Sequence, residues 1–290
     1  LYTQYMFNPV VINPAYAGLH DMASMYMLHR QQWVSYESGN PVTTALSGHT
    51  TLPKNNIGVG FNFVNDRVGV QTTNELNAIF SYKVPFGGKS LSFGLQGGFM
   101  TADFNYDSQD FTLEVFDDSY FNGLGKGKDI RPTIGLGVLW NAKKWFAGFS
   151  IPRVTEMSFS DGDRADSKIQ RNVMLTSGYI FHLARGIKLK PSTLIRYTEG
   201  SSGLRKGRLT YDINTSILLH DNIWLGASIR SFSTIALMSQ LKLSQMFTAG
   251  LSWEFPLDTK NLSQVGQTFE LMLNMNLALF DVQAVQTVFY

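Results

Sequence analysis

Between Leu209 and His220 alternate residues are mainly apolar: Leu209, Tyr211, Ile213, Thr215, Ile217 and Leu219 interleave with Thr210, Asp212, Asn214, Ser216 and His220, and only Leu218 breaks the pattern. A period of two sends successive side chains to opposite faces of a strand, one apolar and one polar. The same alternation runs through Phe269, Leu271, Leu273, Met275, Leu277 and Leu279, with Glu270, Met272, Asn274, Asn276 and Ala278 between them. It recurs along most of the chain. No run of about 18 apolar residues exists, because Gly, Ser, Asn, Lys or Arg interrupts every candidate, so membrane helices are excluded.

The pattern divides into roughly fourteen strands of about ten residues, near the length a tilted strand needs to cross a bilayer. The predicted strands are Ala23 to Trp33, Thr43 to Leu52, Ile57 to Asp66, Asn74 to Val84, Leu91 to Asp103, Arg131 to Asn141 and Trp145 to Pro152. They continue as Arg171 to His182, Ile187 to Thr198, Arg208 to His220, Ile223 to Ser231, Thr234 to Leu243, Phe247 to Phe255 and Thr268 to Phe280. Connections alternate in length: Pro53 to Asn56, Pro85 to Ser90, Ala142 to Lys144, Leu183 to Gly186, Asp221 to Asn222 and Ser244 to Met246 are short. On the other parity lie Phe104 to Ile130, Arg153 to Gln170, Glu199 to Gly207 and Pro256 to Gln267.

This predicts an all-β fold, a transmembrane antiparallel β-barrel with short periplasmic turns and long extracellular loops, and with both termini in the periplasm. Residues 1–22 are expected to form a periplasmic or lumenal segment, 23–280 the outer-membrane barrel and 281–290 a periplasmic tail. A soluble sandwich also alternates, but so many strands would leave edges to protect, which closure removes. Trp33, Trp140, Trp145, Trp224, Trp253 and Tyr197 fall near strand ends and suit interfacial girdles. No signal peptide is evident at Leu1, so export calls for a leader that was cleaved or that lies outside the sequence shown.

Function classes narrow by elimination. The chain has no cysteine, which excludes a disulfide scaffold and a thiolate metal site. Its formal charge of +2 is spread singly through the strands, unlike the basic stripe of a nucleic-acid binder. No nucleophile elbow, zinc helix or P-loop occurs, so no catalytic residue, metal or cofactor is assigned. The histidines His20, His29, His49, His182 and His220 are dispersed; His182 and His220 are expected to hydrogen-bond in the lumen. Glycine pairs Gly58/Gly60 and Gly135/Gly137, and the run Gly123, Gly125, Gly127, lack the following helix that phosphate binding needs. Inward glycine instead relieves crowding or lets another segment approach the wall, and the second option implies a filled lumen.

Two loops carry clusters: Asp103, Asp107, Asp110, Glu114, Asp117 and Asp118 in one, Asp161, Asp163 and Asp166 in another. Neither has a recognised calcium spacing, so solvated loops are expected. Phe111, Phe116, Tyr120 and Phe121 share the first loop and are candidate partner-binding residues; the alternative is a loop folded on itself. The lumen parity carries Lys83, Lys188, Lys190, Arg196, Arg230 and Lys242 against Asp212, Glu254 and Glu270, which would favour anionic solutes or an acidic partner segment, or else supply internal ion pairs.

Ahead of the first strand stand Gln4, Tyr5, Met6, Phe7, Asn8 and Pro9, then Asn13, Pro14, Ala15, Tyr16, Ala17 and Gly18. Two Asn-Pro steps force extended or turning backbone. This pair of motifs resembles the opening of the PorP/SprF family of type IX secretion proteins in Bacteroidetes. So do His29 to Val34, Gly48 to Thr50 with Leu52 and Pro53, Val64 to Asp66 with Gly69, Lys190 to Ser192, and Trp224 to Ser228 with Arg230, in the family's order. The resemblance implies a non-enzymatic outer-membrane barrel of the type IX secretion and gliding apparatus. Its implied role is to receive or anchor a secreted adhesin or other cargo through a C-terminal sorting domain. The alternatives are a structural link to the periplasmic motor or to peptidoglycan-binding proteins, and a diffusion porin. Lipid and lipopolysaccharide would surround it.

Overall fold

A computed structural model describes residues 2–20, 22–34, 39–53, 56–104, 128–155, 157–160, 166–200, 207–257 and 266–277. In chain order the strands are β1 (Ala23–Gln31), β2 (Val42–Thr51), β3 (Ile57–Val68), β4 (Gln71–Phe86), β5 (Lys89–Phe104), β6 (Lys128–Asn141), β7 (Trp145–Ile151), β8 (Met157–Ser160) and β9 (Asp166–Ile169). Then follow β10 (Asn172–Tyr179), β11 (Phe181–Ala184), β12 (Ile187–Thr198), β13 (Arg208–Leu219), β14 (Ile223–Arg230), β15 (Thr234–Lys242), β16 (Phe247–Pro256) and β17 (Thr268–Leu277).

The wall runs antiparallel from β1 to β7, through β10, and from β12 to β17. β17 returns to β1, with Ala23 opposite Leu277 and Gln31 opposite Phe269, and so closes a ring of fourteen strands. Closure gives the backbone groups of the wall partners inside the protein, the condition hydrocarbon imposes. β8 and β9 form a separate hairpin in the connection between β7 and β10. The strand predicted from Arg171 to His182 is divided at Ile180, whose side chain is buried while its N–H donates to the Lys144 carbonyl at 2.7 Å. β11 carries the line onward beside β12.

At one end of the barrel the connections are short. Gly87 and Gly88 alone join β4 to β5, with φ of 56° and 73°, the left-handed geometry a two-residue hairpin requires. The other end carries the long connections, yet two there are tight as well, Gly69–Val70 and Ser231–Ser233. At the first, the ladder extends past its predicted end until Val68 faces Gln71, because Gly69 takes φ 57° and turns the chain at once.

Alternation separates the faces as the sequence predicts. Leu209, Ile213, Leu271 and Leu273 are exposed on the outside, and Thr210, Asp212, Asn214 and Ser216 are buried within. An outer face this apolar suits hydrocarbon. Aromatics gather near strand ends: Phe86, Trp140 and Trp145 are contiguous, with centroids 5.1 and 5.8 Å apart, and Trp253 lies 6.2 Å from Phe269 in a parallel stack.

Three expectations need correction. Trp224 belongs to no girdle: it shares the inward parity of Ser228 and is buried. His182 and His220 are exposed, and His220 lies in a turn with φ 50°, off the parity of its strand. Lys242 is likewise exposed at its strand's end, and Lys188 pairs with Asp221 at the rim, 3.0 Å away.

Leu251 sits outward near the middle of β16. Leu251→Arg is expected to destabilise the barrel by about 2–4 kcal/mol in urea-dependent refolding into lipid vesicles, the cost of a guanidinium near the bilayer midplane.

Candidate functional site

The lumen is occupied by the chain's own N-terminal segment. Three short 3-10 turns, Thr3–Met6, Pro9–Val11 and Pro14–Tyr16, fold residues that alternation leaves outside any strand. Asn8 and Asn13 precede the prolines and are held out of the helical region, as pre-proline residues are (φ −129° and −151°). Their side chains then serve as anchors. Asn13 Nδ2 donates to the Val138 and Phe149 carbonyls at 3.1 and 3.3 Å, its Oδ1 accepts the Ala15 N–H at 2.9 Å, and Asn8 Nδ2 donates to Ser47 Oγ at 2.8 Å. The wall donates in return, from Ser150 Oγ to the Ile12 carbonyl (2.6 Å), Ser81 Oγ to Ala17 (2.5 Å) and Thr51 Oγ1 to Gly18 (2.7 Å).

Apolar packing surrounds these bonds. Tyr5, Met6, Phe7 and Ile12 join inward residues of the wall that include Tyr26, Leu28, Leu194, Leu218, Trp224 and Met272. Val10, Ala15 and Tyr16 pack with Ile79, Leu139 and Phe146. Phe7 meets Trp224 edge-on at 6.0 Å, and Tyr16 meets Phe146 at 6.5 Å. Tyr5 accepts a 2.6 Å hydrogen bond from Asn214 at its phenol oxygen. Burial holds the Tyr5 and Tyr16 phenols far above their ordinary range, so both stay neutral. Of the sequence motif, Asn8, Asn13 and Gly18 thus bond to the wall while the aromatics pack against it.

Glycine makes room for the segment. A Cβ at Gly94 would overlap the Ala15 backbone, one at Gly137 the Asn13 amide and one at Gly58 the Ala17 carbonyl. Of the glycines singled out from sequence, Gly58 and Gly137 face the segment, whereas Gly135 faces the Pro152 carbonyl and Gly60 faces β2.

Towards the long-loop end the inward residues turn ionic. Arg30 pairs with Glu270 and, at 3.0 Å, with Glu254; Arg230 pairs with Asp212 at 3.1 Å and Glu254 at 3.2 Å. The N-terminal segment completes this network. Glu270 accepts the backbone N–H groups of Thr3 (2.6 Å) and Gln4 (3.0 Å), and Glu254 accepts Thr3 Oγ1 (2.8 Å). Across the barrel Arg153 binds Glu75 at 2.7 Å, and Asn77 links Glu75 to Thr133. Arg30, Glu75 and Arg153 are functional candidates that the sequence reading did not place in the lumen. Above the segment two cavities open at this end, about 280 Å³ beside Tyr2 and Ile12 and about 690 Å³ between β10 and β14.

Other expectations fare differently. The fold brings His20 and His49 together, centroids 6.4 Å apart, with Tyr26 stacked on His49; among the described residues no group of three metal ligands forms. Phe111, Phe116, Tyr120 and Phe121 lie outside the described residues, as do Asp107, Asp110, Glu114, Asp117, Asp118, Asp161 and Asp163. Residues 278–290 lie outside them too.

Comparison with known proteins agrees with this architecture. The family described as "Type IX secretion system membrane protein PorP/SprF" matches residues 1–275. No curated protein matches the sequence. Among solved structures, the CymD monoaromatic hydrocarbon channel is 11% identical, with 95% of this chain and 92% of that one covered and a TM-score of 0.54. A TodX mutant monoaromatic hydrocarbon channel is 9% identical, with 94% of each chain covered and a TM-score of 0.53. An outer membrane protein of Acinetobacter baumannii is 8% identical, with 89% of this chain and 99% of that one covered and a TM-score of 0.50. At such identities the likeness is one of fold: these are outer-membrane barrels.

Two substitutions test the packed lumen. Val10 is 0% exposed; in Val10→Cys, the chain's one thiol should resist a water-soluble maleimide, and adding Gly94→Val should render it reactive while heat-modifiable migration in gels still reports a folded barrel. Arg30→Met should cost about 3–5 kcal/mol in vesicle refolding, because it strips a cation from two buried carboxylates. A cost below about 1 kcal/mol would mean that the network is solvated.

Proposed function

Because this chain belongs to the PorP/SprF family of type IX secretion membrane proteins, we propose that it is an outer-membrane receptor that holds a secreted cell-surface protein by its C-terminal domain. Both termini face the periplasm in this reading, and the long loops face outward among lipopolysaccharide. The observation that carries it is the filled lumen: residues 3–18 pack against the inward face of the wall, and the two lumenal cavities above them lie towards the long loops. A blind vestibule suits a chain that docks from outside. It suits a diffusion pore poorly, because a solute would have to displace a packed core. Binding of this kind needs no bond-making residue; apolar contact and loop complementarity supply affinity and selectivity.

Gentle detergent extraction from native membranes should copurify a large secreted surface protein, and deletion of the barrel should release that protein into the medium. Recovery of motor or peptidoglycan-binding proteins alone, with crosslinks from Ala142 or Arg185 at the short turns, would instead assign the barrel to the periplasmic link. In planar bilayers the purified protein is expected to show no stable large conductance.

A further inference from the structure

The vestibule has a cationic wall whose charges are unequally satisfied. Arg196 on β12, Arg208 on β13 and Arg230 on β14 line the larger cavity, with Thr198, Thr210 and Ser231 between them, and no described carboxylate lines it. Arg230 is already bound by Asp212 and Glu254. Arg208 is exposed at the rim. Arg196 is half-buried; its Nε donates to Thr210 Oγ1 at 3.2 Å, and among the described residues it forms no ion pair. Its two terminal nitrogens, partly desolvated and without an ion-pair partner among the described residues, keep the fork geometry that matches a carboxylate.

Arg196 also borders the second cavity, where Val11, Ile12, Val64 and Met174 provide apolar surface. The carboxylates there are engaged: Glu75 by Arg153 at 2.7 Å, and Asp66 by the Thr43 hydroxyl at 2.6 Å. An anion site therefore adjoins an apolar shelf, with one arginine shared between them.

We propose that this pair of cavities binds the free C-terminal carboxylate of a polypeptide. The carboxylate lies on Arg196 with Arg208 as the second cation, and an apolar terminal side chain rests on the partly exposed Val11 and Val64, with the buried Ile12 and Met174 behind them. A phosphate or a sugar acid would use the arginines and leave the shelf empty, which is why the geometry favours a peptide end. The inference deepens the receptor reading and rests on it, since it names the part of the secreted chain that is held.

The test uses the full chain in detergent and a fluorescein-labelled octapeptide, Gly-Ser-Gly-Ser-Gly-Ala-Val-Leu, made with a free carboxylate or as the carboxamide. Fluorescence anisotropy should show the free acid bound at least about ten-fold more tightly than the amide, and Arg196→Gln should abolish that difference. Equal binding of the two peptides, no binding of either, or an unchanged preference in Arg196→Gln would overturn the proposal. Inorganic phosphate binding that depends on Arg196, with no peptide binding, would also overturn it and assign the site to a phosphate headgroup. Heat-modifiable migration confirms that each variant is folded. In cells, the surface protein retained by the Arg196→Gln barrel would sink this inference and leave the receptor reading standing, whereas a surface protein equally retained without any barrel would sink the receptor reading itself.

Discussion

In hydrocarbon an unpaired peptide group costs several kcal/mol, so a sheet that crosses a membrane must end where it begins. Two seams meet that demand here. β17 pairs with β1 along nine residue pairs, from Ala23–Leu277 to Gln31–Phe269, and β10 pairs with β12 from Asn172–Thr198 to Gly178–Ser192. The first seam has a topological consequence. An even ring of fourteen antiparallel strands returns the chain to the end it started from, so β17 finishes opposite Ala23 at the short-turn mouth, where the N-terminal segment leaves the lumen and enters β1.

Once inside, the segment determines what the wall can carry. Where Phe7, Val10, Ile12 and Tyr16 press against it, inward positions are apolar, glycine or neutral polar groups that bond to the segment, with Lys190 the cation among them; where the segment gives way to the vestibule, they turn ionic. Buried ion pairs stabilise only when their remaining lone pairs find donors. Glu254 and Glu270 find theirs partly in the wall, through Arg30 and Arg230, and partly in the Thr3 hydroxyl and the Thr3 and Gln4 N–H groups. Without the segment the wall keeps carboxylates with too few partners, so packing and electrostatics hold the same element in place. Lys190 is a cation set deeper, between the rings of Phe146 and Trp224 at 6.0 and 5.8 Å, and those rings are themselves packed by Tyr16 and Phe7.

How far this was legible from sequence follows from the same division. Strand positions were, because one face of every strand meets lipid and must be apolar; the predicted Ile187 to Thr198 agrees with β12 to the residue. Leu218, the one break in its strand's alternation, is inward and buried against the N-terminal segment. Arg30 was hidden for the same reason: its parity-mates Tyr26 and Leu28 are apolar because they touch the segment, so the inward face of β1 does not read as polar. The Asn-Pro steps announce turns, but nothing local announces that Asn13 will meet the carbonyls of Val138 and Phe149, more than a hundred residues away. Trp224 misled because an aromatic at a strand end reads identically whether it faces lipid or lumen; only its parity within Trp224, Gly226, Ser228 and Arg230 distinguishes the two.

The gradient of charge along the lumen also fixes which end can recognise anything. Arg30, Glu75, Arg153, Arg196, Asp212, Arg230, Glu254 and Glu270 all sit in the halves of their strands, or just beyond them, nearest the long loops. A charge there lies close to water and can exchange a hydration shell for a ligand, whereas one amid the packed segment would need a partner built in. The barrel therefore presents an apolar belt to the bilayer, a packed core towards the short turns and a charged basin towards the long ones. A ligand that enters the basin meets fixed guanidinium groups on rigid strands, and the segment beneath supplies the floor on which its apolar part can rest.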